Sequence, residues 1–274
     1  MVTLADGLHL TSLPPDRLKK VFAAHGVDVS RAHETPEQRD ERLRAYSHKM
    51  QQQWQQQKAL VYQHYSLWPG DKVMHFVFSD WKPALQADSK QARAVGVKVW
   101  QLAKKLSNEQ FNVFMNGVPG VGKTSLAVAM MNEAKKQGLS TMFVSTIVLQ
   151  SLCYQSYRDP LVLEHLNHVK RAMKEVDFLV LDDFGTEGGS LDRIQNSGGT
   201  QLRMQQVMQE VADARWDGDH NRPSGHTVIS SNNFEKELTK IYDPKTISRL
   251  IPHDKKYRIG FNGLQDVRGK QLEV

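Results

Sequence analysis

Apolar positions fall into two regimes along the chain. From residue 36 to 65 they are sparse and mark one edge of a helix, through Leu43, Tyr46, Met50, Trp54 and Leu60, with no Gly or further Pro after Pro36. Thr35-Pro36-Glu37 supplies a start, with Pro at the first helical position and an acid in the first turn. The glutamine-rich stretch 51–57 is interrupted by Trp54, which fits a long polar helix with one apolar edge. Such a helix needs a surface to lie on, either its own domain or a protein partner. Ahead of it, Pro15 to Ala24 reads as a short helix stopped by Gly26. Trp68-Pro69-Gly70 then punctuates the chain, and residues 73–83 read as a short strand or an extended linker.

The second regime alternates strand and helix. A helix from Ser89 carries Ala92, Val95, Val99, Leu102 and Leu106 at spacings of three and four, with Lys90, Lys98, Lys104 and Lys105 largely off that stripe. Strands are expected at 111–116, 141–145, 178–181 and 227–231. Between them, helices are expected at 123–136, 147–156, 161–175 and 200–214. This is an α/β pattern with a central, mostly parallel sheet. A boundary is placed between 70 and 88, giving a small helical N-terminal module over 1–75 and a main domain over 76–274.

Composition narrows the class. The 274 residues hold one cysteine, Cys153, which excludes an intrachain disulfide and a cysteine-based zinc site. No apolar run approaches the roughly 18–20 residues that cross a bilayer, so no membrane partner is expected. The N-terminus lacks the basic and apolar regions of a signal peptide, and a reducing cytoplasm is the expected location. The net charge of +6 is uneven: six basic residues stand against Asp88 alone within 82–105. Lys90, Arg93, Lys98, Lys104 and Lys105 are therefore candidates for a nucleic-acid backbone surface.

Three segments carry phosphate chemistry. Residues 117–124, Gly117-Val118-Pro119-Gly120-Val121-Gly122-Lys123-Thr124, satisfy G-x-x-x-x-G-K-[ST] between an apolar strand and a helix that continues at Ser125. Glycines let backbone N–H groups face phosphate oxygens, Lys123 reaches the β and γ phosphates of ATP, and Thr124 offers a hydroxyl to Mg²⁺. The run FLVLDDFG, 178–185, delivers Asp182 and Asp183 to the carboxyl end of a buried strand, where ligands of open parallel sheets bind. Asp182 is read as the Mg²⁺-side carboxylate and Asp183 as the group that polarises the attacking water, with Glu187 as its rival. The strand TVISSNN, 227–233, places Asn232 between the γ-phosphate and the acidic strand end, with Ser231 and Asn233 as neighbours.

With these motifs in this order, residues 75–274 resemble an AAA+ ATPase of the DnaC/DnaI/IstB group, which comprises bacterial and phage replicative helicase loaders and their transposition relatives. GVPGVGKT is similar to its Walker A, LVLDDFG to its Walker B and ISSN, 229–232, to its sensor 1. ISRL, 247–250, resembles the sensor 2 helix, which would make Arg249 its arginine, and IGFNGLQDVRG, 259–269, resembles the last strand and an arginine-containing terminal turn. The resemblance implies a P-loop AAA+ fold, ATP and Mg²⁺ as ligands, self-assembly through ATP interfaces, and an arginine lent by a neighbouring subunit. Arg215 is the choice for that arginine and Arg222 the alternative. The Gly/Ser-rich stretch 185–200, including Leu191 through Asn196, departs from the group's usual direct step into the next helix.

The implied activity is ATP hydrolysis that loads a replicative hexameric DNA helicase onto single-stranded DNA, the N-terminal helices gripping the helicase. Alternatives are an IstB-like transposition regulator acting on duplex DNA, and a P-loop phosphotransferase with a small acceptor. No acceptor pocket or lid is evident for the last of these.

Overall fold

The computed structural model describes Lys20, residues 35–186 and residues 199–269. The helix expected over Pro15–Ala24, Glu187 and the stretch Leu191–Asn196 lie outside the described residues. By internal contacts the chain divides between Trp54 and Gln55.

Helix α1, Pro36–His64, starts where the sequence placed it. The Thr35 hydroxyl accepts from Gln38 N at 3.2 Å and the Gln38 side chain accepts from Thr35 N at 3.1 Å, a reciprocal cap that satisfies two otherwise unpaired donors. Leu43, Tyr46, Met50 and Trp54 are exposed.

The second unit begins well ahead of residue 75, because residues 62–81 are built into the α/β domain. Tyr62 is buried in its core. Leu67 N donates to Phe143 O at 2.7 Å and Ser145 N to Leu67 O at 2.9 Å, adding one rung to a sheet edge. Trp68 stacks on Phe143 with ring centroids 3.8 Å apart and planes within 3°. Residues 73–83 form no strand. They carry the 3₁₀ turns Phe78–Asp80 and Pro83–Leu85.

Helix α2, Ser89–Ala103, is capped by Asp88, whose carboxylate accepts from Gln91 N at 2.8 Å. Strand β1, Val113–Asn116, and helix α3, Lys123–Lys136, follow, then β2, Thr141–Ser145. Helices α4, Thr146–Gln155, and α5, Pro160–Glu175, precede β3, Phe178–Asp182. Helix α6, Gly199–Ala214, leads into a short antiparallel pair, β4 Trp216–Asp217 and β5 Arg222–Pro223. Then come β6, His226–Ser231, α7, Glu235–Ile241, α8, Pro244–Leu250, and β7, Arg258–Gly260. The two-residue pair β4–β5 is too short for any periodicity to reveal.

The five longer-range strands form one parallel sheet in the order β2-β3-β6-β1-β7. Side chains alternate between its faces. Phe143, Phe178, Val180, Val228 and Met115 pack on one face with α2 and α3. Met142, Val144, Leu179, Leu181 and Ile229 pack on the other with α4, α5, α6 and α8. Burial on both faces explains why these strands read as unbroken apolar runs. The register sets Leu181 opposite Ile229 and Asn116 opposite Ser231. The carboxyl ends of β1, β3 and β6 therefore open on one edge.

Candidate nucleotide-binding site

At that edge β1 ends at Asn116, and the loop Gly117–Gly122 turns the chain into α3. Gly122 has φ +96°, and a Cβ there would lie 2.5 Å from the Trp81 ring. Glycine is thus required by backbone and by packing alike. The Trp81 indole N–H is held by Ala92 O at 3.0 Å, so the ring is a fixed wall behind the loop.

Lys123 is buried, and its ammonium donates to Gly117 O at 2.6 Å, Val118 O at 2.9 Å and Asn232 Oδ1 at 2.7 Å. Burial lowers its pKa, while Asp183 and Asp182 oppose that shift. All three N–H donors are directed at uncharged oxygens inside the loop, the place where a phosphate would present charged ones. The contact also sets Asn232 beside Lys123.

Thr124 Oγ1 donates to Asp182 Oδ1 at 2.9 Å and contacts Oδ2 at 3.1 Å. Ser230 Oγ donates to the same carboxylate. Burial raises the Asp182 pKa to about 6, with Asp183 adding to the rise and the Ser230, Thr124 and Lys123 interactions opposing it. A buried carboxylate beside a threonine hydroxyl is a pair of hard oxygen donors suited to Mg²⁺.

Asp183 adopts φ +57°, a left-handed conformation costing about 1 kcal/mol for a residue with a Cβ. Its N–H donates to Ser230 Oγ at 3.2 Å, and its carbonyl accepts from Thr146 Oγ1 at 3.0 Å. The strained residue is held from both sides, half-buried and within the field of Lys123. Ser231 Oγ donates to Phe184 O at 2.6 Å, and Asn233 Nδ2 to Gly185 O at 2.8 Å, fastening the end of β6 to the acidic turn. Ser230 and Thr146 were not singled out from the sequence. Ser230 had a signal, since it is the first polar residue after an apolar strand run; Thr146 had none.

Two arginines are elsewhere than expected. Arg215 is fully buried at the amino-terminal edge of the sheet. Its guanidinium donates to Val176 O at 2.6 Å, His226 O at 2.7 Å, Met173 O at 3.1 Å and Thr227 Oγ1 at 2.9 Å. Burial pushes its pKa down to about 10, with Asp177 opposing. A guanidinium so occupied cannot extend to a neighbour, and Arg215 is a structural residue. Arg249 does not meet its own nucleotide loop either. Its carbonyl accepts from the Asn112 side chain at 2.9 Å, just before β1 begins, so its backbone lies at the opposite end of β1 from Gly117. Its guanidinium pairs with Asp213. Arg222 is exposed, 3.8 Å from Asp217.

The basic face of α2 is narrower than its sequence suggested. Lys98 Nζ donates to Arg258 O at 2.8 Å, Lys104 pairs with Glu133, and Lys105 lies 3.8 Å from Glu109. Lys90 and Arg93 are exposed and make no ion pair with another described residue.

The sequence profile of the family described as IstB-like ATP binding protein matches residues 29–202, well over half of the chain. This chain belongs to the IstB-like ATP-binding protein family. The IstB-like chain is also 23% identical over 154 residues to the replicative helicase loader DnaC of Escherichia coli strain K12, and equally to that of Shigella flexneri, a match covering 56% of this chain and 55% of the relative. The chain thus spans about half the length of the curated relatives it matches. Among solved structures, that of DnaI superposes with a TM-score of 0.50 at 19% identity, covering 73% of this chain and 96% of the other. That likeness is one of fold: a mostly parallel sheet flanked by helices. No described helix of this IstB-like chain is long and apolar enough to cross a membrane.

Two predictions follow from the buried charges. Arg215→Ala leaves several buried carbonyls unpaired and should cost about 3 kcal/mol or more of folding stability in urea titrations, with Arg215→Lys restoring only part. Asp182 carries a folded pKa above its unfolded value. Between about pH 4 and 6 the folded protein holds a proton that the unfolded chain has lost, so this group's contribution falls as pH rises through that window. Asp182→Asn should therefore stabilise the nucleotide-free protein by about 2 kcal/mol at pH 7.5, with the gain vanishing below about pH 4. Thermal or urea unfolding across pH reads this directly.

Proposed function

We propose that this chain hydrolyses ATP at intersubunit sites and loads a replicative hexameric DNA helicase onto single-stranded DNA. The observation that carries the hydrolytic part is the convergence of Lys123, Thr124, Asp182, Asp183 and Asn232 on one sheet edge, with Lys123 bonded to Asn232, Thr124 to Asp182, and Asp183 joined to Asp182 through Ser230. The loader part is supported by the named role of the DnaC relatives. The exposed Leu43, Tyr46, Met50 and Trp54 on α1 support a partner-gripping role for the N-terminal segment.

Backbone N–H groups of 117–124 and the start of α3 hold the phosphates, and the Lys123 ammonium exchanges its carbonyl partners for β and γ oxygens. Mg²⁺ held through Thr124 and Asp182 would offset charge on those oxygens. Asp183, held in its left-handed backbone conformation, accepts a proton from the attacking water, and Asn232, beside Lys123, stands between the γ-phosphate and the acidic strand end. The trans arginine is Arg249 in this reading, since it sits on the sheet edge opposite its own loop; Arg222 on the same edge is the alternative.

A transposition regulator on duplex DNA remains the second reading, favoured by the IstB-like family match. Pull-down with a replicative helicase, with and without ATP and single-stranded DNA, should retain the helicase. Capture of a transposase with preference for duplex would replace the loader reading. Binding to mixed-sequence single strands should weaken steeply with salt, as backbone recognition requires.

Subunit mixing tests the shared site. Lys123→Ala and Arg249→Ala should each abolish most ATPase activity alone, and the mixture should recover part of it, rising with protein concentration. Co-assembly without recovery would move the finger to Arg222 or make the site complete within one chain.

A further inference from the structure

Beyond β7 the chain returns across the phosphate loop. Phe261 N donates to Asn116 O at 2.8 Å, and the next residues run over the loop's outer side. Gln86, itself buried, clamps Gln265 from both sides, donating to its carbonyl at 2.8 Å and accepting from its N–H at 2.8 Å. Val267 N then donates to Gly120 O at 3.2 Å. Between these two anchors lies Asp266, whose carboxylate rests on Gly120. A Cβ there would be 2.0 Å from Asp266 Oδ1, and Gly120 has φ +77°.

The same carboxylate holds Arg268. The Arg268 Nε lies 3.1 and 3.0 Å from the two oxygens, Nη2 lies 2.6 Å from Oδ2, and the Arg268 N–H donates to Oδ1 at 2.9 Å. Neither side chain is buried: Arg268 is 70% exposed and Asp266 47%. An ion pair in water is weak and exchanges readily. The guanidinium is close enough to feel the charge of Asp183 and to act on Lys123, the two residues assigned to the terminal phosphate in the proposed function.

We propose that residues 264–268 are a latch on the phosphate loop, in which Asp266 holds Arg268 until the terminal phosphate of a bound nucleoside triphosphate takes the guanidinium over. This rests on the ATP-binding reading of the site and adds its regulation. A phosphate oxyanion outcompetes a singly charged carboxylate for a guanidinium fork. A diphosphate lacks the group that reaches toward Lys123 and Asp183, so the exchange distinguishes ATP from ADP. The strap stays anchored by Gln86 while the Asp266 end is freed from its partner. In the nucleotide-free protein, the acidic side chain on Gly120 also disfavours an incoming polyanion.

Calorimetric titration of the full chain with Mg²⁺ and either a non-hydrolysable ATP analogue or ADP tests this without relying on turnover. Arg268→Ala should weaken the analogue about tenfold and ADP less than about twofold. Asp266→Asn should tighten the analogue about threefold, and that gain should disappear in the Arg268→Ala background. Arg268→Lys, which keeps the charge and loses the fork, should fall between. Unchanged analogue-to-ADP ratios in both single variants would overturn the latch, as would tightening by Asp266→Asn that persists without Arg268. A parent protein that binds neither nucleotide, indistinguishable from Lys123→Ala, would instead remove the ATP-binding reading itself.

Discussion

A carboxylate buried at the end of β3 is the constraint on which the rest of this site depends. Asp182 is 3% exposed, and its two oxygens must be satisfied within the protein. Thr124 from α3 and Ser230 from β6 satisfy them. One acid thereby joins β3, β6 and α3 at a single point. Burial also keeps Asp182 reluctant to ionise, which leaves a place where a divalent cation is worth more than it would be at the surface. The folded domain carries this cost in advance of any ligand.

Most of the sheet and its functional edge were legible in the sequence, and the reason is physical. Strands buried on both faces are apolar throughout, so 141–145 and 178–181 are marked without ambiguity. The phosphate loop and its flanking aspartates obey spacings that chemistry dictates. What escaped notice lacks local pattern. The Leu67 rung and the Trp68–Phe143 stack depend on residues about 75 positions apart, so the domain's beginning could not be read from 70–88. The strap's contacts join Gln86 to Gln265 and Gly120 to Asp266, again pairs that no periodicity links.

The arginines show a different limit. A motif places an arginine in order along the chain but does not say whether its guanidinium is spent on the fold. Arg215 directly follows α6 and Arg249 lies in the last turn of α8, and both sit on the edge away from the phosphate loop. Arg215 meets main-chain carbonyls at strand starts and is consumed by them. Arg249 meets a side-chain carboxylate, Asp213, at a half-buried position. The distinction lies in the acceptors, which only the packed structure brings together.

The wall behind the phosphate loop has a consequence for how such sequences can drift. The Trp81 ring touches two glycines at once: a Cβ on Gly122 would lie 2.5 Å from it, and one on Gly96 would lie 2.6 Å from it. Gly122 is fixed independently by its positive φ and by its place before Lys123. Gly96 is an ordinary helical residue in α2, where glycine costs about 1 kcal/mol against alanine, so the indole alone explains it. Residues 81 and 96 should therefore vary together: relatives with a small side chain in place of Trp81 are released to carry alanine or larger at 96, while position 122 stays glycine in all of them.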